Sequence, residues 1–337
     1  MKLMTTGAVV ACAAIAQTAY AQTHPTDEGV IELGDFSFFF AGGEGVERDG
    51  GTYIDGAMYV ENWQPPQITQ AHPVVMVHGT AQTGSNFTAT PDGRRGWVFD
   101  FLRAGYDVYV VDQPGRARSG VFSEVYGPTS RFNRETISNR FTAGEDNEEW
   151  PTAALHTQWP GNGRDDDTYF NHFASQVESI AGRTWPEIAT TEAMIPLLEE
   201  IGPAILLMHS QSGPYAYRIA DLRSDLVAGI VNVEPTGPPF HNVRYLGAPD
   251  WFEPNMNEWL PWGITANELQ FDPPAASPEE MNPVLQDEPD GPNLARCFLQ
   301  GVPARQLPNL QGLPIAIVTG EAPQRAGLDH CSGRARA

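Results

Sequence analysis

The stretch Met208-His209-Ser210-Gln211-Ser212-Gly213 joins an apolar run to a helix-like run. Residues 203–208 (PAILLM) have the length and apolar character of a strand that is buried on both faces of a parallel sheet. Residues 214–223 have the spacing of an amphipathic helix. A serine in a tight turn between a strand and a helix is typical of a nucleophile elbow, which holds the hydroxyl clear of the sheet. The stretch therefore predicts a nucleophilic serine; a helix-capping serine is the alternative.

Two registers of the elbow fit this stretch, because the usual pattern is G-x-S-x-G and the sequence departs from it. Ser210 is preferred over Ser212 as the nucleophile. With Ser210 at the bend, the small residues Ser212 and Gly213 fall where the helix must pass close to the strand. Met208 then takes the position that glycine normally holds, and Gln211 follows the nucleophile.

The length and the first residues predict an exported protein. The chain has 337 residues, enough for one large domain or two small ones. Residues 1–21 have the features of a secretory signal: Lys2, an apolar core at residues 8–16, and a small-x-small cleavage sequence before Gln22. The mature protein is predicted to start near Gln22, to be secreted or periplasmic, and to form one domain over residues 22–337.

The net charge and the hydropathy of the chain argue against nucleic-acid binding and membrane spanning, and its cysteines predict a disulfide. The net charge of −22 makes the surface repel nucleic acid and anionic lipid, so no nucleic-acid partner is predicted. No apolar run beyond the signal approaches the roughly 18 residues that a membrane span needs. Cys297 and Cys331 lie outside the signal and are predicted to form a disulfide in an oxidising compartment. The sequence makes no prediction of oligomeric state.

Alternating strand and helix patterns predict the fold. Buried strands are expected at residues 73–77, 106–111, 203–208, 226–233 and 313–319, and helices at residues 96–104 and 186–200. Short connections between these elements imply right-handed crossovers. Residues 34–40 and 57–61 flank a glycine-rich region and predict an antiparallel N-terminal hairpin. The fold class is therefore α/β, with a mostly parallel, doubly wound sheet.

The first central strand ends in His78-Gly79-Thr80. In a sheet that carries a nucleophile elbow, the loop at this place supplies the second backbone N–H of the oxyanion hole. Gly79 lets the backbone approach a substrate because it has no side chain. Thr80 is therefore the predicted donor from this loop, and Gln211, the residue after Ser210 at the elbow, is the other predicted oxyanion-hole donor. A simple turn at residues 78–80 is the alternative.

Two segments, at about residues 120–185 and 238–311, lack regular periodicity and are too long for simple loops. Both are predicted to be lid insertions that cover the site. Aromatic residues of the first insertion could line an acyl or alcohol pocket, or could form a small core of the insertion itself; they are Trp159, Tyr169, Phe170 and Phe173. Residues 165–167 (DDD) lack the ligand spacing of a calcium loop and are interpreted as a solvated acidic turn.

Glu234 is a lone carboxylate at the end of the strand that follows the predicted nucleophile strand. Catalytic groups in open α/β sheets collect at the carboxyl ends of strands, so Glu234 is the predicted acid. An exposed loop glutamate without a catalytic role is the alternative. Glu321 and Asp329, just past the last predicted strand, are the next candidates.

Together, the elbow, the loop at residues 78–80, the strand end at residues 112–119 and Glu234 resemble the α/β-hydrolase superfamily. Within it, the chain resembles the secreted carboxylesterases typified by bacterial esterase 713, also at residues 155–161, 318–322 and 329–331. The resemblance implies hydrolysis of a small-molecule carboxylic ester by a Ser-Glu-His triad. Ser210 would be the nucleophile and Glu234 the acid; no cofactor and no metal are implied.

The third member of the triad is where the sequence departs from these esterases. They carry the histidine on a loop after the final strand, whereas only residues 332–337 follow Cys331 here. The expectation is that a C-terminal strand, a helix and the catalytic histidine are missing, as in a shortened gene. His330 is the remaining late candidate for the base; His241, His156 and His172 are weaker. Without a base, only a residual rate is expected.

Two other functions are compatible with the same fold. A catalytically inactive binding module would keep the sheet and its pocket without an activated serine. A dehalogenase would carry an aspartate at the elbow, and Ser210 argues against that reaction. The sequence therefore predicts a secreted serine esterase, with the inactive binding module as the alternative.

Overall fold

The computed structural model describes residues 29–322, 324, 330 and 331. The predicted signal at residues 1–21, the predicted start at Gln22 and the candidate acid Asp329 lie outside the described residues. None of the helices in the described part of the chain combines the length and the apolar character that a bilayer crossing requires.

The elements are numbered in chain order. The strands are β1 (Asp35–Ala41), β2 (Glu44–Arg48), β3 (Gly51–Asp55), β4 (Met58–Gln64), β5 (Val74–Val77), β6 (Val108–Asp112), β7 (Thr129–Ser130), β8 (Ser179–Ile180), β9 (Ala204–His209), β10 (Val227–Val233), β11 (Phe240–Tyr245), β12 (Phe252–Leu260), β13 (Val284–Leu285), β14 (Phe298–Leu299) and β15 (Ile315–Val318). The α-helices are α1 (Ser85–Thr88), α2 (Trp97–Arg103), α3 (Ser123–Tyr126), α4 (Arg134–Ile137), α5 (Asp167–Ala174), α6 (Thr184–Ile201) and α7 (Gly213–Leu222).

A seven-stranded sheet with the order β1-β4-β6-β5-β9-β10-β15 forms the centre of the molecule. Strand β4 pairs antiparallel with both of its neighbours, β1 and β6. The other neighbours in this sheet, β6-β5, β5-β9, β9-β10 and β10-β15, all pair in parallel. The structure therefore confirms the α/β class and the mostly parallel, doubly wound sheet, and it confirms the antiparallel pairing of the N-terminal strands.

Apolar layers cover both faces of this sheet, which explains why its central strands are apolar throughout. On one face, Met194 and Leu197 of α6 and Ile219 of α7 pack against the sheet. On the other face, Val98 and Leu102 of α2 do so. Burying each such side chain contributes about 1.5–3 kcal/mol relative to exposure. The packed sheet is therefore a rigid support for the loops at the carboxyl ends of its strands.

Both segments predicted to be insertions contain secondary structure that lies outside the central sheet. The first carries α3, α4, α5 and the two-stranded β7–β8 pair. The second carries the β11–β12 hairpin and an apolar cluster of its own, which includes Phe240, Trp262, Phe271 and Phe298. Side chains from both segments reach the cavity that lies above the strand ends.

Candidate active site

Ser210 stands at a sharp bend between β9 and α7. Its φ of 53° lies in the left-handed region, which a residue with a Cβ adopts rarely and at a cost of about 1–3 kcal/mol. A short 3-10 turn, Ser210–Ser212, leads directly into α7. The bend turns the Ser210 side chain into a cavity of about 510 Å³. This strand, strained turn and helix have the geometry of a nucleophile elbow.

Glycines make room for the bend on two sides. A Cβ added to Gly79 would lie 2.9 Å from the Cβ of Ser210, and one added to Gly213 would lie 2.6 Å from the Cβ of Pro235. Neither distance is compatible with normal packing. A side chain at either position would therefore displace the bend or the residues that contact it.

Ser212, the alternative nucleophile, is fully buried and its hydroxyl is used for structure. Its Oγ accepts a hydrogen bond from the His209 N–H (3.0 Å) and donates one to the Val77 carbonyl oxygen (2.9 Å). These bonds join the end of β9 to the end of β5. A hydroxyl that is buried and bonded in this way has no access to a substrate, whereas the Ser210 hydroxyl faces the cavity.

The two predicted oxyanion-hole residues, Thr80 and Gln211, line the same cavity as Ser210. The Thr80 loop is fixed to the first insertion, because the Ala81 N–H donates to Ser179 Oγ (2.8 Å) and the Val177 N–H donates to the Ala81 carbonyl oxygen (2.8 Å). Within residues 29–322, the Thr80 N–H has no hydrogen-bond acceptor. No acceptor among these residues therefore competes with a ligand for this N–H.

Glu234 also lines this cavity, so the structure brings Ser210, Thr80, Gln211 and Glu234 together. It follows β10 directly and has a φ of 46°. Its Oε1 accepts a hydrogen bond from the Gly320 N–H, in the loop after β15. Two residues later, the Thr236 N–H donates to the Ser210 carbonyl oxygen (2.8 Å), which fixes the Glu234 loop to the elbow.

His330 is not among the described side chains that line this cavity. Its Nε2 lies 3.2 Å from Cys297 Sγ and 3.9 Å from Asp290 Oδ2. The structure joins Cys297 and Cys331 in a disulfide. Their sulfur atoms and the His330 nitrogen have the spacing of metal ligands, but disulfide-bonded sulfurs are not thiolate ligands.

The other candidates from the sequence lie elsewhere. His241 packs its ring on Phe298, with 4.5 Å between the ring centroids. His156 Nδ1 lies 3.1 Å from a Glu145 carboxylate oxygen. Glu321 is exposed and is not among the described cavity residues. Among the residues that the structure describes, no side chain hydrogen-bonds to Ser210 Oγ, so the hydroxyl has no imidazole as a hydrogen-bond partner.

Two histidines do line the cavity: His172 of α5, a weaker candidate from the sequence, and His209, which precedes the bend and which sequence reasoning did not select. Burial lowers the pKa of both to about 4, so both imidazoles are neutral at pH 7. Arg140, Arg183 and Trp259 also line the cavity, and the Arg183 guanidinium stacks 3.2 Å from the Trp259 ring centroid. Most of these cavity residues come from the two irregular segments, whose sequences have no local pattern that predicts which side chains face the cavity.

The aromatic residues proposed for an acyl pocket do not line it. Tyr169 is buried and stacks on Phe173, Phe170 is largely exposed, and Trp159 packs edge-on against His172. The alternative interpretation, a small core of the insertion, describes Tyr169 and Phe173. Phe132, Phe141 and Trp259 form the aromatic part of the cavity wall instead.

The acidic run at residues 165–167 has a structural role. Asp166 is the N-cap of α5 and accepts a hydrogen bond from the Tyr169 N–H (2.7 Å). Asp165 accepts one from the Asn162 side chain (2.7 Å). These contacts agree with the interpretation of the run as a turn.

A strained serine after a parallel strand, in a cavity at the carboxyl edge of a doubly wound sheet, defines the class of α/β hydrolases. A family model described as "Alpha/beta hydrolase family" matches residues 74–330. The "Probable secreted lipase phiG" of Fungal sp. (strain ATCC 74256) is 39% identical over 298 residues, which is 88% of this chain and 76% of that protein. The chain therefore belongs to the alpha/beta hydrolase family.

Solved structures that match this chain include those of a bacterial esterase and an epoxide hydrolase. The structure described as that of a novel bacterial esterase is 25% identical, with a TM-score of 0.48, and the match covers 64% of this chain and 71% of that one. Epoxide hydrolase A from Mycobacterium thermoresistibile is 15% identical, with a TM-score of 0.28, and the match covers 62% and 42%.

Proposed function

We propose that this protein is a secreted serine esterase that hydrolyses small carboxylic esters by acyl transfer through Ser210. The observation that carries the proposal is the strained Ser210, whose hydroxyl faces a cavity shared with Thr80, Gln211 and Glu234. Family membership and the fungal relative, which is named a secreted lipase, support an ester as substrate. Residues 1–21, with the features of a secretory signal, support export.

The chemistry begins when Ser210 Oγ attacks the ester carbonyl and its proton passes to a base. The negative charge that develops on the carbonyl oxygen is stabilised by the N–H groups of Thr80 and Gln211. Collapse of the tetrahedral intermediate breaks the bond to the alcohol, which leaves with the proton, and an acyl-enzyme remains. Water then attacks the acyl group by the same steps and releases the acid.

Glu234 is the acid of the proposed mechanism. A carboxylate in this role holds the imidazole in the required orientation and stabilises its protonated form. The Glu234 loop is fixed at both ends, by Gly320 on one side and by the elbow on the other. Candidate bases are His172, which lines the cavity, and His330, which lies against the disulfide.

The cavity is large enough for a small ester and has walls of two kinds. Its volume of about 510 Å³ falls within the range of small-molecule sites. Phe132, Phe141 and Trp259 offer apolar surface to an acyl chain or an aromatic alcohol, whereas Arg140 and Arg183 offer positive charge. These side chains support a small-molecule substrate.

Turnover of p-nitrophenyl butyrate tests the proposal. The wild-type protein is expected to release p-nitrophenolate faster than the buffer does, and Ser210→Ala is expected to abolish the difference. His172→Gln and His330→Gln identify the base, since the base is the residue whose loss lowers kcat by several orders of magnitude. Equal turnover by the wild-type protein and Ser210→Ala would refute the proposal.

One observation favours a second function, a non-catalytic binding module. No described side chain hydrogen-bonds to the Ser210 hydroxyl, and a serine without a base is a weak nucleophile. Labelling by a fluorophosphonate separates the two functions, because covalent labelling requires an activated serine. A binding module would remain unlabelled and would still bind esters, as a ligand-induced rise in melting temperature would show.

A further inference from the structure

The side chain of Arg116 is 2% exposed and lies behind the loop that carries Thr80. Its Nη1 donates hydrogen bonds to the carbonyl oxygens of Gly79 (3.1 Å) and Gln82 (3.3 Å). Its Nη2 donates to the Gln211 side-chain oxygen Oε1 (3.3 Å). One guanidinium therefore joins the two segments that carry the predicted oxyanion donors, the loop after β5 and the elbow.

The buried guanidinium forms no salt bridge among the residues that the structure describes, although the Asp112 carboxylate is near enough to favour its charged form. No carboxylate in the described part of the chain lies within salt-bridge distance of Arg116. The nearby Asp112 carboxylate instead accepts hydrogen bonds from Arg118 Nε (2.7 Å) and the Gly84 N–H (2.7 Å). Burial lowers the pKa of Arg116 to about 10, so the guanidinium remains protonated at neutral pH. A buried charge that forms no salt bridge lowers the stability of a fold, so its presence here points to a functional requirement.

We propose that Arg116 is a positioning residue of the oxyanion hole, which holds and polarises the Thr80 amide and fixes Gln211. The proposal rests on the esterase function proposed above. The Gly79 carbonyl and the Thr80 N–H belong to one planar, resonance-stabilised peptide group. A charge-assisted hydrogen bond at the oxygen of that group draws electron density toward the oxygen and makes its N–H a stronger donor.

The position of the charge also suits the reaction. Negative charge develops on the substrate oxygen only as the transition state is reached, and a fixed positive charge at one peptide's distance favours that state over the neutral ester. Arg116 is not among the cavity residues, so it acts through Thr80 and Gln211 and does not touch the substrate. Its loss should therefore lower kcat and leave KM nearly unchanged.

Three variants test the proposal in the full-length protein with p-nitrophenyl butyrate. Arg116→Met removes the charge and should lower kcat by on the order of 10²-fold, with KM changed by less than about twofold. Arg116→Lys restores the charge and should recover part of that loss. The matched control is Arg118→Lys, which alters an arginine of the same segment that pairs with Glu61 and Asp112 and contacts neither Gly79 nor Gln211. It should keep the wild-type kcat.

A second readout distinguishes positioning from a purely structural role. A trifluoromethyl ketone forms a tetrahedral, oxyanion-like adduct with an active serine, whereas the matching methyl ketone resembles the ground state. The ratio of their inhibition constants should shift by the same factor as kcat in Arg116→Met, measured on protein shown to be folded by circular dichroism. A lowered kcat with an unchanged ratio in either folded variant would overturn the proposal, and so would a wild-type kcat in folded Arg116→Met. If Ser210→Ala keeps the wild-type rate, the esterase function itself fails.

Discussion

Gly79 and Ser210 approach each other so closely that a methyl group on Gly79 would lie 2.9 Å from the Cβ of Ser210. The same methyl group would lie 3.1 Å from His209 Nδ1. The end of β5 and the bend after β9 are therefore in contact through a position that tolerates no side chain. This contact sets the distance between the serine and the amide of Thr80.

Gly79→Ala should consequently lower kcat by more than the small size of the added methyl group suggests. The added methyl group must push the loop or the elbow away, and a displacement of about 1 Å at reacting groups can cost on the order of 10²-fold in rate. Overpacking should also lower the free energy of unfolding by about 1–3 kcal/mol. The assay is kcat with p-nitrophenyl butyrate. Gly291→Ala is the matched control, because a Cβ there would meet its nearest atom at 3.5 Å; equal kcat for the two variants would contradict the steric account.

Ser212→Ala should destabilise the protein without removing its nucleophile. The change deletes the hydroxyl that joins the ends of β9 and β5 and leaves the buried Val77 carbonyl oxygen without that donor. A loss of about 1–3 kcal/mol in the free energy of unfolding is expected. Denaturant unfolding measures it, and kcat measured on the folded protein should remain within a few-fold of wild type. A total loss of activity in folded Ser212→Ala would favour Ser212 as the nucleophile.

Glu234→Gln should lower kcat, since an amide cannot stabilise a protonated imidazole as a carboxylate does. A drop on the order of 10⁴-fold is the upper end expected for the loss of a triad acid's charge with its geometry kept. Glu321→Gln is the control. Glu321 is the other candidate acid that lies among the residues the structure describes, and it is exposed. A larger loss in Glu321→Gln than in Glu234→Gln would reverse the assignment.

Stability should fall as the pH falls, in part because His172 is buried in its neutral form. Its pKa is lowered by burial from 6.5 to about 4, so the unfolded chain binds more protons than the folded chain between these pH values. The contribution of His172 to the free energy of unfolding is fully present above about pH 6.5, and it is lost as the pH falls toward 4. The loss by pH 4.5 should be on the order of 2–3 kcal/mol.

Urea unfolding at pH 7.5 and pH 4.5 checks this prediction in the wild type and in His172→Gln. The difference between the two pH values should be smaller in His172→Gln, because glutamine does not titrate. An unchanged difference would show that His172 does not contribute. Burial also lowers the pKa of His78 to about 3 and that of His209 to about 4. The free energy of unfolding of His172→Gln should therefore still depend on pH in part.

The parts of the site that local patterns encode were predictable from the sequence. Ser210 and Glu234 each follow an apolar strand directly, Thr80 follows one after two residues, and the carboxyl ends of adjacent parallel strands meet at one edge of a sheet. The position of each residue in the chain therefore predicts its position in space. The choice of Ser210 over Ser212 depended on where small residues fall, and the burial of Ser212 agrees with that choice.

Other parts of the site depend on tertiary packing and left no local signal. His172 reaches the cavity from an irregular insertion, where neither a period of 3.6 nor a period of 2 assigns a face. The same limit explains why Trp159 and Phe170 were candidates for a pocket that Phe132 and Phe141 line instead. Arg116 lies at the strand end formed by residues 112–119, where the sequence indicates only a resemblance to hydrolases, because a sequence does not show that a charged side chain is buried.

The measurement that tests the central claim most directly is the identification of the residue that a fluorophosphonate labels. Wild-type protein would be labelled, digested and analysed by mass spectrometry, with Ser210→Ala and Ser212→Ala treated in parallel. The account predicts a single adduct on Ser210 that is absent in Ser210→Ala and retained in folded Ser212→Ala. An adduct on Ser212, or no adduct on folded wild-type protein, would contradict it.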